Sequence, residues 1–210
     1  MKKTNMKIAI IGAGYGGELI AEYFNKSPEA FYDFFGNPEI KFYDEFKGQH
    51  PSEITDDEMI IISSSNMPFR RRIFSSFERS RFININRSLC DVNMGFGNVI
   101  FPGAIFDYFH KIGDNNIISL GCLINHHCEI GDGNLLGPGC MLSGHVKIGN
   151  NCLIGSGVIF EPHVNIGNDV VICSGSVVVG DIKNKTHIRG EKKLDSISVY
   201  QGGRIVSGKS

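Results

Sequence analysis

Written in sixes, residues 130–159 read IGDGNL LGPGCM LSGHVK IGNNCL IGSGVI, and every block opens on a large apolar residue. The same phase runs outward in both directions, from MGFGNV at Met94 to VVGDIK at Val178, with no slip. The second place is often Gly, and the fifth is usually small: Ala, Cys, Val, Asn or Ser. A helix cannot carry this period, because residues six apart fall on different helical faces. A plain strand fails too, since turn residues interrupt the alternation every few positions. A solenoid satisfies it, with three short strands per coil and the first-position side chains stacked in interior columns. The expected fold of this half is the hexapeptide parallel β-helix.

That register reinterprets the stretch CLINHHCEIGD (122–132), whose closely spaced Cys and His first suggest zinc. Cys122, Cys128, Cys140 and Cys152 all take the fifth place and point into the prism, where thiols act as small hydrophobes. Cys173, in a second place, reads as filler. His126 and His127 instead occupy the third and fourth places, at a corner that faces outward. One coil up or down, the same corner gives two columns: Tyr108, His126, Gly144, Pro162 and Phe109, His127, His145, His163. Coils are spaced like strands of a sheet, about 4.8 Å apart, so three histidines line up along one edge. Gly144 is expected to leave space beside the His126 imidazole. The plainer alternative is that a corner accepts any polar residue.

The first half alternates strand and helix. KIAII (7–11) runs into GAGYGG and then ELIAEYF, a strand, glycine turn and helix. Gly12, Gly14 and Gly17 fit the G-x-G-x-x-G spacing, with Tyr15 and Gly16 in the turn, and free N–H groups at the helix start suit an anion. IKFYD (40–44) ends in Asp44, placed to accept hydrogen bonds from a ribose; MIIIS (59–63) is a third strand. A helix through Arg70–Glu78 follows, and RFININ (81–86) closes the unit. Asp44 lies further along than a dinucleotide fold places its acid, which favours a sugar nucleotide or similar phosphate ligand over NAD. Glycines serving only strand–helix packing stay open as a reading. Arg70, Arg71 and Arg72 read as a solvated helix face rather than a phosphate clamp.

Charge and composition exclude several classes. The net charge is −1 with Lys and Arg dispersed, so no nucleic-acid partner is expected. Apolar runs such as Ile8–Ile11 are far too short to span a bilayer. The basic start MKKTNMK reaches glycines before a signal-peptide core could form. The default location is cytoplasmic, where the six cysteines would be reduced thiols.

The strand–GAGYGG–helix unit, Asp44, the hexads from Met94 and NHHCEIGD (125–132) together resemble a known bacterial family. It is that of the two-domain sugar acyltransferases typified by sialic-acid O-acetyltransferases and the N-acetyltransferase of the bacillosamine pathway. The resemblance implies a Rossmann-like α/β domain over 1–86, a left-handed β-helix over 87–183 and a C-terminal tail over 184–210. It implies a homotrimer, with acetyl-CoA between neighbouring β-helices, a nucleotide-linked sugar on the N-terminal domain at Gly12, Gly14, Tyr15, Gly16 and Asp44, and no metal. The catalytic histidine falls on His126, which as a neutral base removes a proton from the acceptor while that atom attacks the thioester directly. His127 stands where the family carries an acid, so orientation of the imidazole falls to Glu129, Asp107, Asp132 or a neighbouring subunit. Leu135 replaces a histidine that contacts the acyl donor, and NRSL (86–89) and GEKK (190–193) replace two further family elements. Gly155, Gly157, Ser174 and Gly175 are the expected pantetheine slot, where a backbone without Cβ admits close approach. Arg189 and Lys192, with Lys183, Lys185 and Lys193, supply charge for the CoA phosphates. The implied activity is acetylation of a sugar amine, with sugar O-acetylation second. Two other classes compete: a zinc enzyme of the γ-carbonic-anhydrase type, using His126 or His127 with His145 and His163, and a scaffold that lost its chemistry.

Overall fold

A computed structural model of the chain describes residues 6–12, 39–44, 49–86, 88, 92–189, 198–201 and 204–207. Three parallel strands, β1 (Lys7–Ile11), β2 (Glu39–Tyr43) and β3 (Glu58–Ile62), form a sheet in the order β2-β1-β3. The apolar run of β1 is central and Ile8, Ala9, Ile10 and Ile11 are fully buried, as a strand covered on both faces requires. Helix α1 (Met67–Ser76) follows β3, and the Asn66 side chain caps it by accepting from the Phe69 N–H. The expected turn residues Gly14, Tyr15, Gly16 and Gly17 and the segment ELIAEYF lie outside the described residues. RFININ adds no full strand to this sheet. Phe82 makes one bridge to Ile60, while Ile85–Asn86 pairs with Val99–Ile100 of the first coil.

Beyond Met94 the chain is a parallel β-helix with the predicted register. Two-residue strands pair one coil apart: Leu123–Ile124 with Met141–Leu142, and these with Ile159–Phe160. First-position residues from Ile100 to Val178 are buried in one continuous core. Every sixth residue from Gly97 to Gly175 adopts positive φ, including Phe109, Asn115, His127, His145, Asn151, His163 and Asp169 among the glycines. A side chain in that region is disfavoured. Stacking offsets the cost, because most corner N–H groups donate to the coil before: His127 to Tyr108 O, His145 to His126 O, His163 to Gly144 O. After Val178 the repeat shortens, the Asn184 side chain reaching the Asn168 N–H across sixteen residues, and stacking continues to His187–Ile188.

The interior confirms the place of the cysteines. Cys122, Cys128, Cys140 and Cys152 are fully buried, and their thiols donate to the carbonyls of Gly137, Ser143, Gly155 and Gly167. Burial pushes the Cys128 and Cys152 thiols up, away from the reactive thiolate. One interior column is polar. Asn116 and Asn134 each donate a backbone N–H to the asparagine one coil before, Asn98 and Asn116, and Cys152 N–H closes on Asn134.

The outward sixth positions give each face its own chemistry. Val99 and Ile117 pack against Ile8, Ile10 and Ile61, so this face carries the N-terminal sheet. Lys111, Glu129 and Lys147 line the second face, where Glu129 and Lys147 pair at 3.1 Å. Ile105, Leu123, Met141 and Val177 form an exposed apolar stripe down the third. Arg70 corrects the expectation of a solvated arginine face. It is fully buried, and its guanidinium donates to Ile62 O, Gly97 O and Asn115 Oδ1, tying α1 to the first coils. Burial without a carboxylate pushes it down to about 9.

The asparagine column makes a test of the interior. Asn116→Val, which places at this site the residue found at other fifth positions, strands the Asn134 N–H. It should lower unfolding free energy by about 1–3 kcal/mol, read by urea denaturation, whereas Cys140→Val should cost less because it orphans no backbone donor.

Candidate functional site

Two places on the chain concentrate chemistry. The first is the corner after Leu123–Ile124. His126 and His127 face each other edge to face, with Nδ1 to Nδ1 at 3.2 Å. His127 stacks on His145 at 4.7 Å between ring centres and His145 on His163 at 4.8 Å, so the predicted column forms. Phe109 stands at its foot, 5.1 Å from His127. The shared left-handed corner sets this alignment, since it aims each Cβ the same way at strand spacing. Desolvation in the stack, then the charges of His127, His163, His126 and Lys147, hold His145 below the ordinary imidazole range.

Gly144 does not leave open space beside His126. The imidazole occupies it: a Cβ on Gly144 would sit 2.6 Å from His126 Cε1. Nor does an acid among the described residues orient the ring. Glu129 pairs with Lys147, Asp107 accepts its neighbour Tyr108 N–H, and Asp132 accepts the Asp114 N–H at 2.7 Å. The partner that His126 Nδ1 has is His127.

The second place is a cavity of about 710 Å³ where the N-terminal sheet meets the β-helix. Gly12 after β1, Asp44 after β2 and Ser63, Ser64 and Ser65 after β3 form one wall; Leu135, Gly137, Gly155, Ser156 and Ser174 form the other. This is the crevice outside the carboxyl ends of parallel strands, where ligands of open α/β sheets bind. Gly12 has φ of 109°, and a Cβ there would lie 2.7 Å from Ser63 Oγ, so this turn admits only glycine. An adjoining cavity of about 510 Å³ shares Gly12, Asp44 and Ser64 and adds Asn66, Phe69 and Arg72. Sequence reasoning missed the serine run, whose signal was SSSN immediately before the helix; Arg72 is exposed, as expected of a solvated helix face, and lines this cavity as well.

Of the residues expected in a pantetheine slot, Gly155 and Ser174 line the larger cavity and Gly157 and Gly175 do not. Gly155 owes its lack of Cβ to coil stacking, since a Cβ would meet Ser174 N at 2.4 Å. Gly157 and Gly175 are left-handed corner residues with open space beside them. Arg189 is exposed beyond the last coil, and Lys192 lies outside the described residues. Gly12, Asp44, Gly155 and Ser174 are therefore brought together, while His126 and His127 stand at another corner. The apolar face separates the two places, because the histidine turn precedes Glu129–Ile130 and the cavity's Gly137–Pro138 turn precedes Met141–Leu142.

Repeat and coil together define a hexapeptide-repeat β-helix protein, and residues 145–180 match the bacterial transferase hexapeptide (six repeats) family. Solved structures share the fold over most of the chain. The acetyltransferase domain of PglB from Neisseria gonorrhoeae, in complex with acetyl coenzyme A, is 23% identical with a TM-score of 0.70, over 88% of this chain and 96% of that one. GDP-perosamine N-acetyl transferase from Caulobacter crescentus, in complex with CoA and GDP-perosamine, is 21% identical with a TM-score of 0.71, over 86% and 92%. WeeI from Acinetobacter baumannii is 19% identical with a TM-score of 0.68, over 95% and 100%. No curated protein sequence matches the chain.

Gly144 offers a test of how the corner is built, since its backbone is not in the left-handed region and only the His126 ring stands in the way. Gly144→Ala should fold with an unchanged circular dichroism spectrum and melting curve. Its His126 imidazole resonances should shift while those of His163 hold; unmoved His126 resonances would show that the ring does not rest on Gly144.

Proposed function

We propose that the protein is an acetyl-CoA-dependent transferase that acetylates the amine of a nucleotide-linked amino sugar. The observation that carries this reading is the shared cavity: Gly12, Asp44 and the serines after β3 face Gly155 and Ser174 of the coil across one 710 Å³ space. The likeness in fold to the PglB domain bound to acetyl coenzyme A and to the transferase bound to CoA and GDP-perosamine supports the same chemistry. In this reading residues 1–86 are a Rossmann-like domain for the nucleotide sugar, 87–183 carry acyl transfer and 184–210 are a tail. Asp44 accepts from the ribose hydroxyls. Arg72 and the N–H groups entering α1 meet the diphosphate, as cations and helix N-termini do. Gly14, Tyr15 and Gly16 complete that site.

The reaction is a direct displacement at the thioester. Neutral His126 takes a proton from the sugar amine as its nitrogen attacks the acetyl carbonyl, the carbon–sulfur bond breaks, and the imidazolium returns the proton to sulfur so that CoA leaves as thiol. His127, through its Nδ1 contact, fixes the ring so that Nε2 faces the substrate. Gly157, Gly175, Arg189 and Lys192 hold the pantetheine arm and CoA phosphates. The base stands apart from the sugar cavity of its own chain, and the exposed Ile105–Leu123–Met141–Val177 stripe lies between them. A homotrimer packed on that stripe brings the histidine corner of one subunit to the cavity of the next, and buries the apolar surface. No described helix is long and apolar enough to cross a membrane, and we place the enzyme in the cytoplasm, where acetyl-CoA is available.

A panel of UDP-, dTDP- and GDP-linked amino sugars with labelled acetyl-CoA tests the reading. Label should appear on the amine of at least one sugar, and His126→Asn should lower kcat by about 10²–10⁴-fold with little change in KM for acetyl-CoA. Label on a hydroxyl of free sialic acid would favour O-acetylation, and undiminished turnover in His126→Asn would remove this histidine as the base.

A further inference from the structure

The histidine corner has a second property that acyl transfer does not use. One ring nitrogen from each of His126, His127 and His145 lies within 4.8 Å of the others. The His126 and His127 Nδ1 atoms are 3.2 Å apart. Two nitrogens bound to one tetrahedral zinc at ~2.0–2.1 Å stand ~3.3–3.4 Å from each other. That pair therefore already has the spacing of two ligands, and a nitrogen of the His145 ring stands close enough for side-chain rotation to bring a third. None of the three is buried, so ion and water have access and the rings can turn about χ1 and χ2. The Glu129 carboxylate, two residues past His127, is engaged with Lys147, and the Cys128 thiol points inward. The donor set is thus three neutral imidazoles without thiolate or carboxylate, which suits Zn²⁺, Ni²⁺ or Cu²⁺ and not Mg²⁺ or Ca²⁺.

We infer that His126, His127 and His145 form a reversible transition-metal site whose occupation shuts the transferase down. Coordination through the His126 nitrogen that faces His127 shifts the ring proton to the other nitrogen, the one that faces the substrate, so the imidazole can no longer accept a proton there. Water fills the fourth position. Binding rests on geometry alone; the inhibition rests on His126 being the base, as proposed above.

The test uses the full chain stripped with a chelator, titrated with Zn²⁺ by calorimetry and with Co²⁺ by visible absorption. Wild type should take up about one ion per chain, with the intense d–d bands of tetrahedral Co²⁺. His145→Asn is the diagnostic variant, because Asn already occupies the same left-handed corner position at Asn115 and Asn151 and His145 has no part in the transfer step. It should keep metal-free activity, measured by chromatography of the acetylated product so that zinc binding to free CoA thiol does not interfere. It should also need at least about tenfold more Zn²⁺ for half-inhibition, since even the loss of an outer partner of a metal ligand weakens binding 10–100-fold. Wild-type activity should return on adding chelator. Absence of stoichiometric binding, or equal Zn²⁺ uptake by wild type, His145→Asn and His127→Asn, would overturn the site. Normal uptake with unchanged activity would overturn the inhibition and count against His126 as base, leaving the site standing.

Discussion

Once every six residues, from Gly97 to Gly175, the backbone turns through the left-handed region, and the other features of the β-helix depend on that turn. It closes each flat strand into a corner and returns the chain one coil further on at hydrogen-bond distance from itself. Most corner N–H groups then donate to the previous coil, which offsets the strain of placing histidine or asparagine where glycine is favoured. The same turn explains why histidines at 127, 145 and 163 stack: they are one position of the repeat, seen three times.

Three faces follow from three strands per coil, and their outward residues divide the labour. One face is covered by the N-terminal sheet, with Arg70 fixed between α1 and the carbonyl of Gly97. One is charged and faces water. The third is apolar down its length, and it lies between the histidine corner and the cavity beneath the N-terminal sheet. A single chain thus holds the parts of the proposed reaction on two sides of an exposed apolar surface. The assignment of the site to two subunits grows from that separation.

The β-helix was legible because its rule is local. A first-position residue must be large and apolar whatever surrounds it, so the period survives in the text of the chain, and with it the inward place of Cys122, Cys128, Cys140 and Cys152. β1 was legible for the same reason, an unbroken apolar run ending in glycine. What depended on distant partners was not. Arg70 reads like its neighbours Arg71 and Arg72; its burial is decided by Gly97 and Asn115, far along the chain. Gly155 looked like room for a ligand, yet its missing Cβ is required by Ser174 of the next coil. Gly144 looked like a gap, and the His126 ring fills it. The imidazole's partner was sought among acids, whereas the corner geometry turns His127 back onto His126.

In the proposed trimer the histidine corner of one chain works on a sugar held by another. Subunit complementation measures this directly. Two inactive variants, His126→Asn and Asp44→Ala/Arg72→Ala, are co-expressed under different affinity tags, and trimers carrying both tags are isolated. If the base and the cavity of each site come from different chains, every trimer carrying both tags holds one intact site in three and shows about a third of wild-type activity, although neither variant is active alone. Mixed trimers as inactive as their parents would contradict it.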